Sequence, residues 1–264
     1  MKFWKYSGAG NDFILFSEVP HKFEQIDLAK LCDRKFGIGA DGLLIVKTNE
    51  VSSDFQMIYY NSDGGQVEMC GNGARSCAHW FANEFHQTKI KFLTASNAAY
   101  EAEVISEDFI KVTMNELKDV AAIDVADFYP QNESLYLNTG VPHTVILLNQ
   151  DQDIASTHWM KEAPKFRADK RFEKGCNINF VKVLKEGEIV LRTFERGVEA
   201  ETLACGTGAV AAARFLNQKY NWNEINIKVA GGILKTEFIA DQCWLAGPAK
   251  RIFEGDVNLD DFLI

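Results

Sequence analysis

The chain has 264 residues, 47% of them apolar and 25% charged, a composition typical of a globular protein with a substantial core. Its formal net charge of −9 argues against nucleic acid or an anionic membrane surface as a partner. The first residues lack the apolar stretch of a signal peptide, and no apolar run approaches the ~20 residues of a membrane span. We therefore expect a cytoplasmic protein whose six cysteines are reduced thiols.

The first half of the chain alternates apolar segments with glycine turns. A short helix is expected from Asp27, a capping residue, to about Lys35, followed by Gly37. A longer helix is expected over 74–85, because apolar side chains recur there at helical spacing. Strands are predicted from apolar or alternating segments at 2–6, 13–16, 43–46, 55–60, 90–93, 100–105 and 109–114.

The second half repeats this order of elements. A helix-like segment is expected around 153–163. A helix is expected over 209–216, where apolar residues would occupy almost every face of the helix. Strands are predicted at 144–148, 180–183, 189–194, 225–229, 233–238 and 243–246. A last strand at 251–253 follows the repeat and is expected to return to the first half.

This repetition predicts the fold class. We expect an α+β protein of two pseudo-symmetric domains, each a mostly antiparallel sheet or barrel around one central helix. The N-terminal domain would comprise residues 1–115, to which 249–264 return, and the C-terminal domain residues 116–248. The boundary near Asn115 to Val120 carries no linker rich in proline or glycine.

Two cysteine motifs stand at corresponding places in the halves. The motif C-G-N-G-A at 70–74 has a near-twin, C-G-T-G-A at 205–209, and the two cysteines are 205 − 70 = 135 positions apart. Each motif precedes a predicted helix, so each cysteine is expected at a helix N-terminus. Backbone N–H groups and the helix dipole lower a thiol pKa there from about 8.5 towards roughly 3.5–7.5. The same N–H groups bind anions such as a carboxylate.

A pair of activated thiols suits the inversion of a carbon centre. One thiolate removes a proton from one face of the carbon, and an opposing thiol delivers a proton to the other face. Two helix N-termini would stabilise the negative charge that develops next to a carboxylate. The chain has no C-x-x-C pair and no phosphate-cradling motif, so we expect no metal or other cofactor.

Several motifs, in order along nearly the whole chain, together resemble those of the diaminopimelate epimerases. They are Gly10-Asn11-Asp12-Phe13, Gly37-Ile38-Gly39-x-Asp41, Asn61-x-Asp63-Gly64, the two cysteine motifs with Arg75, Gly140-x-Pro142-His143 and Glu195-Arg196-Gly197. The resemblance implies a cofactor-independent isomerase that converts LL-diaminopimelate to the meso form, in lysine and peptidoglycan biosynthesis. It also implies two similar α/β halves and a cytoplasmic homodimer.

The resemblance further implies a role for each site residue. The residues implied at the reacting centre are the acid/base pair Cys70 and Cys205, flanked by Glu195 and His143. The residues implied to bind substrate are Gly71, Asn72, Gly206 and Thr207 at the near carboxylate, and Asn11, Asn61, Asn177 and Arg196 at the far amino-acid end. Two positions depart from the pattern, since Gly42 and Val141 stand where many members have Gln and Asn. The segment 195–202 also has one extra residue.

Other interpretations of the same residues remain open. A proline or hydroxyproline epimerase would carry a histidine directly after the first Cys-Gly, where this chain has Asn72. A thiol redox protein or a non-catalytic amino-acid binder would use the same cysteines differently. Without the resemblance, several site residues have an ordinary structural explanation. Asn11 and Asn61 would form turns, Asn177 would bond to the backbone, His143 would lie in a turn, and Glu195-Arg196 would form a surface ion pair. The remaining cysteines, Cys32, Cys77, Cys176 and Cys243, are interpreted as structural.

Overall fold

The computed structural model describes residues 1–48, 52–114, 118–121, 129, 131–172, 175–240 and 242–264. The chain forms two compact units, the first comprising Met1–Thr113 with Ala246–Ile264 and the second Met114–Leu245. Each unit combines a mixed sheet with helices, so the predicted α+β class is confirmed. Part of the boundary expected near Asn115 to Val120 lies outside the described residues.

The elements follow one another in the order that the repeat predicts. The α-helices are α1 (Leu28–Cys32), α2 (Gly71–Phe85), α3 (Thr157–Arg167) and α4 (Gly206–Tyr220). The strands of the first part are β1 (Lys2–Gly8), β2 (Asn11–Phe16), β3 (Gly42–Lys47), β4 (Phe55–Asn61), β5 (Gln66–Val67), β6 (Lys89–Thr94), β7 (Ala99–Ser106), β8 (Phe109–Thr113) and β9 (Lys118–Ala121). The later strands are β10 (Glu133–Asn138), β11 (Pro142–Leu147), β12 (Asn177–Lys185), β13 (Glu188–Glu195), β14 (Ala200–Glu201), β15 (Glu224–Val229), β16 (Gly232–Ile239), β17 (Gln242–Pro248) and β18 (Lys250–Asp256).

The two units pair their strands in the same order of orientations. In the first, β1 is antiparallel to β2 and β18, β2 is parallel to β3, β3 is antiparallel to β4, and β4 is parallel to β6. In the second, β10 is antiparallel to β11 and β9, β11 is parallel to β12, β12 is antiparallel to β13, and β13 is parallel to β15. The predicted internal repeat therefore extends to the strand topology, and the last strand, β18, pairs with β1.

Helices α2 and α4 are the buried helices of their units. Every residue of α2 from Gly71 to Phe81 is buried, including Cys77, which is the core residue predicted. In α4 burial is continuous over 208–213, and the final turn to Tyr220 is exposed. The prediction ended this helix at Leu216, because the apolar pattern stops one turn before the helix does.

Two predicted helices differ from the structure, and strand β10 has no predicted counterpart. The first helix ends at Cys32 rather than near Lys35, since Asp33 turns to extended backbone and its carboxylate accepts the N–H groups that follow. Helix α3 begins at Thr157, capped by Ser156, and not near Asp153, whose carboxylate instead closes a turn. Strand β10 was not predicted, because Leu137 is its only fully buried residue and the apolar signal is short.

Candidate active site

Cys70 caps helix α2, as predicted. Its backbone is extended, with φ −134° and ψ 114°, and its Sγ accepts a hydrogen bond from the N–H of Gly73 at 3.4 Å. A Cβ on Gly73 would lie 2.9 Å from the side chain of Leu44, so the helix can start this close to β3 only with glycine there. The N–H contact and the positive end of the helix both favour the thiolate form of Cys70.

Two of the predicted binding residues lie next to Cys70. The Sγ atom is 3.9 Å from Oδ1 of Asn11, and the same oxygen accepts a hydrogen bond from Nδ2 of Asn72 at 3.4 Å. Asn72 is buried and Asn11 partly exposed. The first unit therefore brings the thiol together with two side-chain amides.

A charged network supports Asn11 from the other side. Nδ2 of Asn11 donates to Asp41 at 2.9 Å, and one guanidinium nitrogen of Arg34 contacts the carboxylates of both Asp12 and Asp41, at 2.6 and 2.7 Å. Lys5 pairs with Asp12 at 2.7 Å. Burial acts to raise the pKa of Asp12, but the hydrogen bonds from Arg34 and Lys5 outweigh it and hold the pKa well below its usual range. Sequence reasoning missed Lys5 and Arg34, because neither belongs to a motif.

Asn61 ends strand β4 and is held by a tyrosine. The hydroxyl of Tyr59 donates to Oδ1 of Asn61 at 2.8 Å. The ring of Tyr59 covers Gly42, where a Cβ would lie only 2.6 Å from Cε2. The same Cβ would lie 2.6 Å from the carbonyl oxygen of Tyr60, so these two neighbours together require glycine at position 42, where the sequence departs from the family pattern.

Cys205 caps helix α4 in the second unit, again as predicted. It is 5% exposed, and its Sγ lies 3.5 Å from the hydroxyl of Thr207. The carboxyl group of Glu195, the last residue of β13, forms a hydrogen bond with Cys205. Burial raises the pKa of Glu195, and interactions with Thr202 and, less strongly, with Cys205 act in the opposite direction. The carboxyl group of Glu195 therefore lies next to the thiol of Cys205.

His143 lies in strand β11 rather than in a turn, and it is fully buried. Nδ1 is 3.1 Å from the amide nitrogen of Asn179, and Nε2 is 3.4 Å from that of Asn177. Burial lowers the pKa of His143 to about 3, and the charge of Arg196 acts in the same direction. The imidazole is therefore neutral near pH 7.

Asn177 links this histidine to the predicted binding arginine. Its Oδ1 accepts the backbone N–H of Arg196 at 2.7 Å, so its oxygen satisfies backbone while its nitrogen faces His143. The loop that follows is held by Glu199, which accepts the N–H of Gly197 at 3.0 Å and pairs with Arg167 at 2.6 Å. The second unit thus gathers Cys205 with Glu195, and His143 with Asn177 and Arg196.

Asn179 is a site residue that sequence reasoning missed. It is fully buried, its Oδ1 accepts the hydroxyl of Thr193 at 3.0 Å, and its amide nitrogen reaches His143. A Cβ on Gly208 would lie 2.4 Å from Oδ1 of Asn179, so helix α4 packs directly on this amide. The available signal is an amide at position 179 between the apolar residues Ile178 and Phe180.

Within the described part of the chain, the six cysteines are free thiols, and no three His, Cys, Asp or Glu side chains converge as a metal site requires. Among the same residues, no helix is long and apolar enough to cross a bilayer.

Comparison with known proteins gives a consistent result. The sequence model of the family described as diaminopimelate epimerase matches residues 3–118 and 135–252. A diaminopimelate epimerase of Flavobacterium psychrophilum is 42% identical, over 96% of this chain and 99% of its own length. One from Methanocella arvoryzae is 38% identical, over 98% of both chains. A solved PhzF-family phenazine biosynthesis protein of Bacillus anthracis shares the fold, with a TM-score of 0.72 at 13% identity over 98% of this chain and 99% of its own.

Proposed function

Because the chain belongs to the diaminopimelate epimerase family, we propose that it interconverts LL- and meso-diaminopimelate by moving protons to and from the α-carbon with two cysteines. The chain is an isomerase by this membership. The observation that carries the proposed mechanism is that Cys70 and Cys205 each cap the buried helix of their unit.

In the proposed reaction, one cysteine acts as the base and the other as the acid. The thiolate takes the α-proton from one face of the carbon, and the thiol gives its proton to the opposite face, which inverts the centre. After one turnover the two sulfurs have exchanged protonation states, so the reverse reaction uses them in opposite roles. No electron transfer or outside reactant is needed to balance these steps.

Stabilisation of the carbanion-like transition state is assigned to backbone N–H groups. The first N–H groups of a helix have no partner within it. At α2 and α4 these groups belong to Gly71 and Asn72, and to Gly206 and Thr207, the four residues expected at the near carboxylate. Donors that are already in place at the developing charge stabilise the transition state without reorganisation.

Glu195 and His143 are proposed to tune the proton on Cys205. Glu195 forms a hydrogen bond with that thiol, and its raised pKa brings its proton affinity closer to that of the thiol. His143 remains neutral, so it adds no positive charge that would stabilise the Cys205 thiolate. The far amino-acid end is assigned to Arg196, Asn11, Asn61 and Asn177, with Arg196 as the partner for the far carboxylate.

We also propose that the protein works in the cytoplasm as a homodimer, and that its product serves lysine and peptidoglycan biosynthesis. Sedimentation analysis tests the dimer, since a dimer has twice the 29.7 kDa of one chain. A single species at the monomer mass at micromolar concentration would contradict it.

The function itself is tested by separating diaminopimelate isomers. LL-diaminopimelate incubated with the protein is expected to yield the meso isomer until equilibrium, and meso-diaminopimelate the LL isomer. Proline and 4-hydroxyproline serve as comparison substrates, and neither is expected to change. Racemisation of proline with unchanged diaminopimelate would assign the protein to another cofactor-free racemase activity.

A further inference from the structure

Arg75 is a fully buried cation one turn into helix α2. Its Nη2 donates to Oδ1 of Asn72 at 2.7 Å, and its Nε reaches the carbonyl oxygen of Pro248 at 3.5 Å. Among the described residues, Nη1 has no hydrogen-bond partner. A buried charge with incomplete hydrogen bonding is costly. If this residue only packed against its neighbours, an apolar side chain would be less costly to bury. The arginine therefore indicates a role beyond packing.

The guanidinium remains charged in this position. Burial lowers the pKa of Arg75 to about 10, which is still well above neutral pH, and a thiolate at Cys70 acts in the opposite direction. The attraction is mutual, so the positive charge of Arg75 favours the thiolate form of Cys70.

Arg75 also sets the direction of a chain of hydrogen bonds. A guanidinium can only donate, so Oδ1 of Asn72 must face it, and Nδ2 of Asn72 must face Asn11. At the other end, the carboxylate of Asp41 can only accept, so Nδ2 of Asn11 must face Asp41. The guanidinium of Arg75 and the carboxylate of Asp41 therefore impose the same donor-to-acceptor direction on this chain of hydrogen bonds. The oxygen of Asn11 is thereby the atom that lies 3.9 Å from the sulfur of Cys70.

We propose that Arg75 is a positioning residue for proton transfer at Cys70, which it performs by fixing the amide of Asn72 and by placing a buried positive charge beside the thiol. The inference rests on the proposed two-cysteine reaction and deepens it. The oxygen of Asn11 accepts the S–H when Cys70 is the acid. The charge of Arg75 and the N–H of Gly73 stabilise the sulfur when Cys70 is the base.

The second half of the repeat has no such charge at the corresponding position. Five residues after Cys205 stands Val210, which is fully buried, where Arg75 stands five residues after Cys70. The groups next to Cys205 include the carboxyl group of Glu195 and the hydroxyl of Thr207. The two thiols consequently differ in their electrostatic surroundings, and we expect Cys70 to be the more ionised of the two in the substrate-free protein.

The first test measures alkylation of each cysteine by iodoacetamide as a function of pH, with the labelled peptides separated by mass spectrometry. In Arg75→Met the midpoint for Cys70 is expected to rise by about one pH unit, and its rate at pH 7 to fall about tenfold. The rate for Cys205 in the same sample is the internal reference and is expected to stay within about twofold. In Arg75→Lys, which restores the charge, the midpoint for Cys70 is expected to return most of the way to the wild-type value.

The matched control is Ser76→Ala, which removes a buried hydrogen bond to the backbone of Asn72 in the same turn of α2 but leaves the guanidinium in place. It is expected to leave both midpoints unchanged. If Arg75→Met does not fold by near-ultraviolet circular dichroism, Arg75→Gln replaces it, because glutamine keeps a polar group without charge or fixed polarity. An unmoved Cys70 profile in a folded uncharged variant would overturn the proposal.

The second test is a double-mutant cycle on kcat/KM for diaminopimelate with Arg75→Met and Asn72→Ala. If Arg75 acts through Asn72 and through Cys70, the single substitutions lower kcat with little change in KM, and the double variant loses less than the product of the two single losses. Independent, multiplying losses would contradict the action through Asn72. Failure of the wild-type protein to convert diaminopimelate would instead refute the proposed function. The alkylation test does not depend on turnover, so it would still show whether Arg75 acts on Cys70.

Discussion

The amide nitrogen of Asn179 lies 3.1 Å from Nδ1 of His143, in the buried interior of the second unit. The oxygen of the same amide is taken by Thr193, so the nitrogen is the atom that faces the ring. An amide nitrogen only donates, and the amide nitrogen of Asn177 lies 3.4 Å from Nε2, so both ring nitrogens of His143 face donors. A charged imidazolium would carry a proton on both nitrogens and could accept a hydrogen bond from neither amide.

The first prediction is a pH dependence of stability caused by His143. Its pKa is about 3 in the folded protein, against 6.5 for an ordinary histidine, so between these values the unfolded state binds more protons. The free energy of unfolding therefore falls as the pH falls through this window, by at most about 1.4 kcal/mol per pH unit from this residue. Urea unfolding between pH 6.5 and 5 is expected to show a shallower dependence in His143→Gln than in the wild type. Parallel curves for the two proteins would contradict the prediction.

The second prediction concerns Glu195 and the thiol of Cys205. In Glu195→Gln the acceptor for the S–H is replaced by an amide that can donate to the thiolate, so the Cys205 thiolate becomes more stable. The pH midpoint for alkylation of Cys205 is expected to fall by about one unit. The midpoint for Cys70 is the control and is expected to stay where it is. A Cys205 midpoint that is unchanged or higher would show that Glu195 does not govern this thiol.

The third prediction concerns recognition of the far carboxylate. Arg196 can bind a carboxylate through two parallel hydrogen bonds, which a lysine cannot reproduce. Arg196→Lys is expected to lower kcat/KM for diaminopimelate by roughly 10- to 100-fold. This loss corresponds to the free energy of one or two charge-assisted hydrogen bonds. Arg171→Lys, at an exposed ion pair with Asp169, is the matched control and is expected to keep wild-type activity.

The same assignment predicts poor use of substrates that lack the far carboxylate. A site built to pair that group leaves its own polar groups unpaired when the group is missing. Exchange of the α-proton is therefore expected to be far slower with lysine than with diaminopimelate. Equal exchange rates for the two amino acids would show that Arg196 does not hold the far end.

The fourth prediction is that turnover needs no added group. The proposed proton transfers use only thiols and backbone N–H groups, so exhaustive treatment with EDTA and with hydroxylamine is expected to leave kcat unchanged. Hydroxylamine removes pyridoxal phosphate from enzymes that depend on it, and a known enzyme of that kind, treated in parallel, confirms that the treatment works. Loss of activity that returns when a metal or pyridoxal phosphate is added back would contradict the prediction.

The sequence predicted the positions of Cys70 and Cys205 correctly, because the signals there are local. A glycine pair followed by an apolar run at helical spacing determines where the helix starts, and the cysteine precedes it. The duplicated order of strands was likewise visible, since each apolar segment is short and bounded by turns.

Features that depend on distant partners could not be predicted. Gly42 is explained by the ring of Tyr59 and the carbonyl oxygen of Tyr60, which both lie against it from the neighbouring strand. The contacts of Arg75 with the carbonyl oxygen of Pro248 and of Asn179 with His143 join residues far apart in the sequence, and only the fold creates them. The predicted start of α3 lies one turn before the observed one, because two possible caps, Asp153 and Ser156, lie three residues apart.

The fifth prediction is the central one, that each cysteine serves one face of the substrate. Cys70→Ala and Cys205→Ala are each expected to abolish inversion. Both residues lie at helix entrances, so the free energy of unfolding is expected to change by no more than about 1 kcal/mol. Cys77→Ala, at a core cysteine of the same helix α2, is the matched control and is expected to remain an active epimerase.

The most direct measurement is NMR of LL-diaminopimelate incubated in D₂O with the wild type and with each cysteine variant. In the wild type we expect the meso isomer to appear with deuterium at the inverted α-carbon, because the proton delivered comes from a thiol that has exchanged with solvent. In Cys70→Ala and Cys205→Ala we expect no meso isomer at all. Inversion by either variant at near the wild-type rate, or inversion by the wild type without deuterium at that carbon, would contradict the two-cysteine mechanism.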